Sequence, residues 1–295
     1  MTVQQLLRRI YNRLPVVREL RSLEETLRQV CAELEKTRTA SAVALNDLQV
    51  RNDPRYADPD RLLRYSFQVC SQSGEDGIIQ EIFRRIGTTD RTFVEVGIGD
   101  GSENNTAFLL SQCWTGFWID GNHAFLTRLE ARKDLPESIL RRVASMVTRE
   151  NIAPLFSQMG VPPEFDLLSL DIDQNTLHVW EALGAFRPRV VVVEYNGAVP
   201  PEIEWKVNYA ADRVWDGTDN FGASLKAFEV LGRRMGYLLV GCEYVGANAF
   251  FVREDLVGEK FVGPFTAEHH FEPTRLSLAH RRGHYSGILD RPVTS

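Results

Sequence analysis

Three glycines at alternate positions, flanked by carboxylates, form the sequence feature with the clearest chemical meaning. They lie in Glu95-Val-Gly97-Ile-Gly99-Asp-Gly101, directly after an apolar run that predicts a buried strand. Glycine lets the backbone turn tightly and lets a ligand approach without a Cβ in the way. The spacing GxGxG differs from the GxGxxG of dinucleotide-binding folds, and an acid two positions before the first glycine disfavours a diphosphate. The loop suits a ligand with a cationic centre better.

A second carboxylate, Asp120, ends the next predicted strand, Gly116–Asp120. In a doubly wound sheet it would lie beside the glycine loop, where an acidic side chain accepts hydrogen bonds from two ribose hydroxyls. Glu95 and Asp120 together therefore predict a pocket for a nucleoside that carries positive charge. S-adenosylmethionine (SAM) fits because it has an ammonium and a sulfonium group. The alternative is a tight strand–helix turn with solvated acids.

Three further carboxylates and an amide follow the fourth and fifth predicted strands: Asp171, Asp173, Glu194 and Asn196. The carboxyl ends of neighbouring parallel strands meet at one edge of a sheet, so these groups should converge. Crowded carboxylates repel unless one takes up a proton or a cation binds them, and such oxygen ligands suit Mg²⁺ or Ca²⁺. Three interpretations are open: a metal site, a metal-free acid–base cluster in which Asp171 and Asp173 are catalytic, and structural roles such as helix capping.

Several histidines are candidates to assist the acids. His178 lies five residues after the acid turn and could act as a catalytic base, the alternative being a surface position on a helix. His280 and His284, in the C-terminal segment, would either fold over the pocket or remain solvated. His123 follows the ribose-binding candidate closely, which favours a place near the cofactor over a catalytic role.

A long connection, residues 197–221, follows the fifth predicted strand and contains Trp205, Tyr209, Trp215 and Phe221. Long loops at a site usually bind or cover the substrate. Exposed aromatic side chains in such a loop would stack on sugar rings. The alternative is that they pack the loop onto its own domain.

Apolar runs alternate with helical segments over residues 64–255, which predicts a mostly parallel α/β sheet. The last two runs are separated by a short glycine-containing link, so they should form an antiparallel hairpin at one edge. The predicted strands are 91–96, 116–120, 144–147, 165–170, 190–194, 237–240 and 249–252. The main predicted helices are 103–112, 176–184 and 222–235.

With these motifs in place, the chain resembles the FkbM-like branch of the class I SAM-dependent methyltransferases over residues 64–255. One difference is Gln174, where members of that family often have glycine. The resemblance is carried by Ser71–Ile79, Glu95–Gly101, Asn105-Thr106, Gly116–Asp120, Ser169–Asn175, Glu194–Asn196, Phe221–Leu225 and Gly246–Val252.

The family implies a Rossmann-like, seven-stranded methyltransferase sheet with SAM at the carboxyl ends of the strands, and O-methylation of sugars or other small natural products. By position, the glycine loop would line the methionine end, Asp120 would hold the ribose, and Val147 and Thr148 would border the adenine. The segment 71–75 would close over the cofactor. The implied SAM-binding residues are Ser71, Gln72, Glu75, Glu95, Gly97, Gly99, Gly101, Asn105, Asp120, Val147, Thr148 and Asp171.

The first fifty residues differ from the rest, since they contain no glycine and are slightly basic. Residues 3–14 have an apolar helical face surrounded by arginines, which is typical of helices that lie on anionic membranes. After Pro15, apolar residues alternate in steps of three and four, which indicates a coiled-coil heptad seam. The expected roles are a coiled coil that makes a homo-oligomer, membrane-surface contact, or plain packing. The seam consists of Leu20, Leu23, Leu27, Val30 and Leu34.

The predicted organisation therefore has four parts. Residues 1–50 form the amphipathic helix and short coiled coil, and 51–63 a linker. Residues 64–257 form the methyltransferase domain, and 258–295 a C-terminal extension that could cover the active site.

The composition excludes several functional classes. The chain has 295 residues, of which 43% are hydrophobic and 25% charged, and its net charge of −6 argues against a nucleic-acid binder. The four cysteines include no CxxC pair, so neither a zinc site nor a disulfide framework is expected, and a cytoplasmic location is favoured. No apolar run reaches the length of a bilayer span, so membrane contact would be peripheral, at the inner face.

These observations predict a SAM-dependent O-methyltransferase that acts on a hydroxyl of a sugar, polysaccharide or glycolipid, with Mg²⁺ taking part if the acid cluster is a metal site. One alternative is a non-catalytic methyltransferase-like module that binds SAM or a glycan and is recruited through its N-terminal helix. Another is an enzyme on the same fold with a different reaction, such as metal-dependent hydroxylation or a nucleotide-sugar transformation.

Overall fold

The computed structural model describes residues 15–99, 101, 103–122 and 136–275. The chain divides into two compact units, Met1–Gln49 and Val50–Ser295. Helix α1 runs from Pro15 to Asn52 and makes up the described part of the first unit. No helix within the described ranges is both long enough and apolar enough to cross a bilayer.

The predicted heptad seam lies on α1 and is exposed, with Leu23 at 56% and Leu34 at 63% relative exposure. The only proline in α1 is its first residue, where proline is tolerated because the first amides of a helix lack an acceptor within it. Self-association through this stripe stays a prediction. The basic amphipathic stretch at 3–14 lies outside the described residues.

The second unit contains one seven-stranded sheet. Its strands are β1 Thr92–Val96, β2 Thr115–Asp120, β3 Leu140–Ala144, β4 Glu164–Leu170, β5 Arg187–Glu194, β6 Tyr237–Cys242 and β7 Asn248–Arg253. The strand order is β3-β2-β1-β4-β5-β7-β6. Strand β7 is antiparallel to both of its neighbours, and the other neighbouring pairs are parallel. This confirms the predicted Rossmann-like, seven-stranded sheet with an antiparallel hairpin at one edge.

Two apolar clusters pack against the sheet, and successive strand residues belong to one cluster and the other in alternation. Val94 and Val96 of β1 belong to one cluster and Phe93 to the other, because successive side chains of a strand point to opposite faces. Strand β5 contributes four consecutive fully buried valines, as expected for a strand covered on both faces. The helices are α2 Glu75–Ile86, α3 Ala107–Leu110, α4 Ile152–Met159, α5 Thr176–Glu181, α6 Leu225–Met235, α7 Glu254–Val257 and α8 Ala267–His270.

The topology fixes where a ligand can bind. The chain leaves β1 towards β2 and β3 on one side and towards β4 and β5 on the other. In such a sheet, the crevice beyond the carboxyl ends of the strands at this reversal is the usual ligand site. The glycine loop after β1 lies at this point.

The prediction of the third strand at 144–147 was wrong, because β3 spans Leu140–Ala144. The prediction relied on unbroken apolar runs. Strand β3 is instead an edge strand that carries Arg141 and Arg142, which a buried strand would exclude. The predicted helix at 103–112 is also shorter, with α3 limited to Ala107–Leu110.

Residues on both sides of the sheet domain's expected boundaries pack into it. In the segment expected to be a linker, Tyr56 and Leu62 are buried in one of the two apolar clusters. In the described part of the C-terminal extension, residues 258–275, Glu272 is buried and accepts a 2.8 Å hydrogen bond from the hydroxyl of Tyr56. The sheet domain therefore continues at least to residue 275.

Candidate functional site

A cavity of about 980 Å³ lies beyond the carboxyl ends of β1, β2, β4 and β5. Its wall includes the last residues of three strands, Val96 of β1, Asp120 of β2 and Glu194 of β5. Asp171, directly after β4, completes the set. The structure thus brings part of the predicted donor-binding set and three members of the predicted acid cluster into one cavity: Gln72, Gly97, Gly99, Asp120, Val147, Asp171, Asp173 and Glu194.

The glycine loop uses its glycines for two different purposes. Gly97 has a φ of +85°, and a Cβ there would lie 1.5 Å from the carbonyl oxygen of Asp171. Gly99 has a φ of +55°, but a Cβ there would meet no protein atom within 4 Å. Gly97 therefore lets the β1 and β4 ends approach each other, whereas Gly99 keeps the cavity wall open for a ligand. Gly101 also has a positive φ, +78°.

Asp120 links β2 to the glycine loop. One carboxylate oxygen accepts a 2.9 Å hydrogen bond from the amide of Gly99, and the other a 2.7 Å bond from the amide of Asn122. Each carboxylate oxygen has a second lone pair, so Asp120 can still accept hydroxyl donors from the cavity that it lines. Asp120 is therefore able to accept hydrogen bonds from the hydroxyls of a ribose.

Glu95 lies behind the glycine loop and is buried. It accepts hydrogen bonds from the amide of Asn105 at 2.9 Å, from the amide and hydroxyl of Thr106, and from the side chain of Asn104. Burial raises the pKa of Glu95 to about 7, even though these hydrogen bonds favour the charged form. A cation bound nearby would favour ionisation.

A smaller cavity of about 170 Å³ borders the main one. Glu95, Asn105, Gln72, Gly97, Gly99 and Asp171 are among its lining residues. The Asn105 side chain is held by a 3.1 Å hydrogen bond to the hydroxyl of Ser169. This polar recess suits the amino acid end of a ligand whose nucleoside occupies the main cavity.

Residues of the segment 71–75 have two different roles. Gln72 lines both cavities. Ser71 and Glu75 line neither; Ser71 is buried and its hydroxyl accepts from the amide of Asp76, at 3.3 Å. Glu75 accepts from the side chain of Asn248, at 2.9 Å. The two residues expected to touch the cofactor instead hold the turn that carries Gln72.

The residues just after β3, where the resemblance implies the adenine, form another part of the cavity wall. Ser145, Met146 and Val147 line the cavity. Thr148 is outside the lining; its amide donates to the side chain of Asn151 and its hydroxyl accepts from the amide of Asn151, so it organises the start of α4. Sequence reasoning missed Ser145 and Met146 because it placed them inside the third strand.

Asp171, Asp173 and Glu194 meet at the other side of the cavity. One carboxylate oxygen from each lies within 4.8 Å of the other two. Asp173 has a φ of +55°, and its neighbour Gln174 is buried with its amide donating to the carbonyl of Ile172. The left-handed residue in this turn is thus Asp173, one position before the glycine that family members often have.

Two other residues predicted for this cluster lie elsewhere. The side-chain amide of Asn196 donates to two backbone carbonyls of the 197–221 loop, and its oxygen accepts from the amide of Ala198. Asn196 therefore shapes the loop and does not line the cavity. A ring nitrogen of His178 lies 2.9 Å from the carbonyl of Val207, and the ring packs edge-on to Tyr209, outside the cavity lining.

The loop 197–221 contributes part of the cavity wall. Ala211, Arg213, Val214 and Trp215 line it, with Trp215 partly exposed and in edge contact with Phe221. Arg213 is the cation that sequence reasoning did not single out. His123, His280 and His284 lie outside the described residues.

No family model matches the chain, and no curated protein is significantly similar to it. Among solved structures, the methyltransferase domain of bacterial CtHen1 is 18% identical with a TM-score of 0.39, over 61% of this chain and 97% of that one. A SAM-dependent methyltransferase described as putative, from Listeria monocytogenes, is 10% identical with a TM-score of 0.39, over 59% and 96%.

A third solved structure holds ligands. The O-methyltransferase NcsB1 of neocarzinostatin biosynthesis, in complex with SAM and 2-hydroxy-5-methyl naphthoic acid, is 13% identical with a TM-score of 0.36. The match covers 56% of this chain and 49% of NcsB1, so it spans about half the length of that protein. The fold of this chain rests on its own strand order and register.

Proposed function

We propose that this chain is a SAM-dependent O-methyltransferase of the FkbM-like kind that methylates a hydroxyl of a sugar, polysaccharide or glycolipid. The observation that carries the proposal is the shared cavity. A ribose-binding carboxylate held against a glycine loop, Asp120 on Gly99, lines the same cavity as the carboxylates Asp171 and Glu194.

The residues fit SAM in shape and charge. The open space at Gly99 leaves room for the ligand, and Asp120 is placed for the ribose. Glu95 beside the small recess favours a cation. When bound, SAM supplies a methyl group made electrophilic by its attachment to a positively charged sulfur.

The acid cluster would act on the acceptor. Asp171, which lines both cavities, and Glu194 can accept the acceptor's hydroxyl as a hydrogen-bond donor, orient its oxygen and take its proton as the new C–O bond forms. The exposed face of Trp215 offers a stacking surface for a sugar ring. A polyhydroxylated acceptor suits a wall that combines carboxylates with an aromatic side chain.

We also propose that Mg²⁺ can join the acceptor at this cluster. The oxygen ligands of Asp171, Asp173 and Glu194 are of the hard type that Mg²⁺ prefers, and their mutual approach within 4.8 Å suits shared coordination. These three residues would hold the ion, which would gather acceptor oxygens and lower the pKa of the hydroxyl.

The proposed location is the cytoplasm, with residues 1–14 in peripheral contact with the membrane.

Calorimetric titration of the full chain with SAM, NAD and a nucleotide sugar, each with and without Mg²⁺, tests the donor. Of the three compounds, we expect only SAM to bind, and we expect it to bind in the absence of Mg²⁺. Losing a charge-assisted hydrogen bond costs about 1.5–3 kcal/mol, so Asp120→Ala should weaken SAM binding about 10- to 100-fold. The control is Glu137→Ala, an exposed acid just before β3, at the opposite end of the strands. Tight binding of NAD in place of SAM would refute the proposal.

Turnover of SAM to S-adenosylhomocysteine with a panel of sugars and glycolipids separates the enzyme from a non-catalytic binding module. We expect methylation of at least one sugar hydroxyl, and a loss of rate on adding a chelator if Mg²⁺ takes part.

Sedimentation with anionic liposomes tests the membrane contact; a chain that stays in the supernatant contradicts it.

A further inference from the structure

The apolar seam of α1 is longer than the five residues that first indicate it. The alternating steps of four and three continue along almost the whole helix, with polar side chains only at Thr37 and Ser41. Each of its members is exposed on the described chain. The ten seam positions are Val16, Leu20, Leu23, Leu27, Val30, Leu34, Thr37, Ser41, Ala44 and Leu48.

The strictness of the seven-residue repeat indicates what covers the seam. A straight α-helix has 3.6 residues per turn, so a seven-residue stripe drifts by about 20° per heptad. Over the more than four heptads from Val16 to Leu48, the stripe rotates by roughly 90° around the helix. A flat surface cannot follow such a stripe, whereas a second helix wound around the first in a left-handed supercoil stays in contact throughout.

The distribution of side-chain size along the seam favours one orientation. The first six positions, Val16 to Leu34, are all large and apolar, whereas Thr37, Ser41 and Ala44 are small or polar. Parallel pairing in register places identical positions opposite each other, so the large side chains form six consecutive apolar layers. The small and polar side chains then face each other, and the hydroxyl of Thr37 keeps its 2.9 Å hydrogen bond to the backbone carbonyl of Glu33.

Antiparallel pairing with the same overlap mixes the two kinds of layer. Leu27 would face Thr37, and Leu23 would face Ser41, so these large apolar side chains would pack against small polar ones. The charged residues that flank the seam favour neither orientation over the other. The parallel form pairs Glu33 with Arg38, and the antiparallel form pairs Glu24 with Arg38, each together with like-charge contacts.

We propose that α1 forms a parallel coiled coil with α1 of a second copy of this chain, along the seam from Val16 to Leu48. The seam spans about 48 Å at 1.5 Å per residue. The proposal does not depend on the methyltransferase activity.

Disulfide trapping of the full chain distinguishes the orientations. The background is Cys31→Ser with Cys113→Ser, which removes both exposed thiols. In that background, Leu27→Cys should form an interchain disulfide with itself under mild oxidation. Arg28→Cys, one position away and outside the seam, is the matched control and should not. If Leu27→Cys crosslinks only when mixed with Thr37→Cys, the helices are antiparallel and the proposal is wrong.

Light scattering tests the association itself. The intact chain should show a mass of at least twice 33.5 kDa, and Leu27→Asp should reduce it to the mass of one chain. SAM affinity serves as the readout of the sheet domain and should not change in Leu27→Asp, because α1 contributes no residue to the cavity lining. A single-chain mass for the unmodified protein overturns the proposal.

Discussion

The proposed donor side and the proposed acceptor side of the site, which comprises the main cavity and the smaller one beside it, are built in different ways. On the donor side, Asp120 and Glu95 are fixed by backbone amides, and Glu95 is buried. On the acceptor side, Asp173 and Trp215 are exposed, and part of the wall comes from the long 197–221 loop.

Under the proposed function, this difference lets the fold keep the same donor while the acceptor varies. Strand ends and a tight turn set the donor side, so its geometry follows from the sheet. The acceptor side depends on a connection whose length and side chains can change without disturbing the sheet. Variants on the two sides should therefore affect different measurable quantities.

The largest effect is expected at the junction of the two sides. Gly97→Ala would place a Cβ 1.5 Å from the carbonyl oxygen of Asp171, so β1 and β4 would have to move apart. We expect a destabilisation of about 3 kcal/mol or more, and a fall in Tm of roughly 10 °C. Thermal unfolding monitored by circular dichroism measures it.

Gly99→Ala is the matched control for that variant, because its Cβ meets no protein atom within 4 Å. It should cost only about 1 kcal/mol, from the left-handed backbone. Equal losses of Tm in the two variants would contradict the assignment of Gly97 to the sheet junction and of Gly99 to the ligand.

The second prediction separates the two sides by kinetics. Asp171→Asn keeps the shape of the side chain but removes its charge, so kcat should fall about 10²- to 10⁴-fold. The Kd for SAM should rise far less, although Asp171 also lines the smaller cavity. Asp212→Asn, at an exposed position in the 197–221 loop outside the cavity lining, should behave like the unmodified chain. Full activity of Asp171→Asn would remove the acid cluster from the mechanism.

The third prediction concerns pH and the donor side. Burial raises the pKa of Glu95 to about 7, so this carboxyl is mostly protonated at pH 6 and ionised at pH 8. Because the ionised form attracts a cation, SAM affinity should increase as pH rises through about 7, by up to roughly tenfold. S-adenosylhomocysteine lacks the sulfonium charge and should show a shallower slope. Equal slopes in calorimetric titrations would indicate that Glu95 does not sense the charged sulfur.

The smallest effect is expected on the acceptor side. Trp215→Ala removes the stacking surface, which contributes about 0.5–1.5 kcal/mol, so the KM for a sugar acceptor should rise about two- to tenfold. The Kd for SAM should not change. Tyr209→Phe, whose hydroxyl bonds Glu150 outside the cavity lining, is the control. A change in SAM affinity instead would place Trp215 on the donor side.

Sequence patterns were informative where local chemistry and position coincide. The apolar runs located six of the seven strands, and the glycine spacing and strand-terminal acids pointed to residues that do line the cavity: Gly97, Gly99, Asp120, Asp171, Asp173 and Glu194. The third strand was misplaced because an edge strand tolerates arginines. A search for unbroken apolar runs does not find such a strand.

Residue type alone could not separate residues that touch the cavity from those that hold its frame. Ser71, Glu75, Thr148 and Asn196 have the polar side chains expected of ligand-binding residues, yet each bonds a neighbouring segment. A polar side chain near a strand end can satisfy the backbone or the ligand, and the choice depends on which donors the folded chain brings within reach. Only the packed arrangement decides it.

By itself, the sequence determined the alternation of strands and helices, the glycine turn after β1 and the heptad spacing of α1, because each follows from short-range geometry. The tertiary structure decided that Gln72, Met146 and Arg213, far apart along the chain, line the same cavity. Their meeting depends on strand order and loop path. Those are set by contacts between distant segments, which local spacing does not encode.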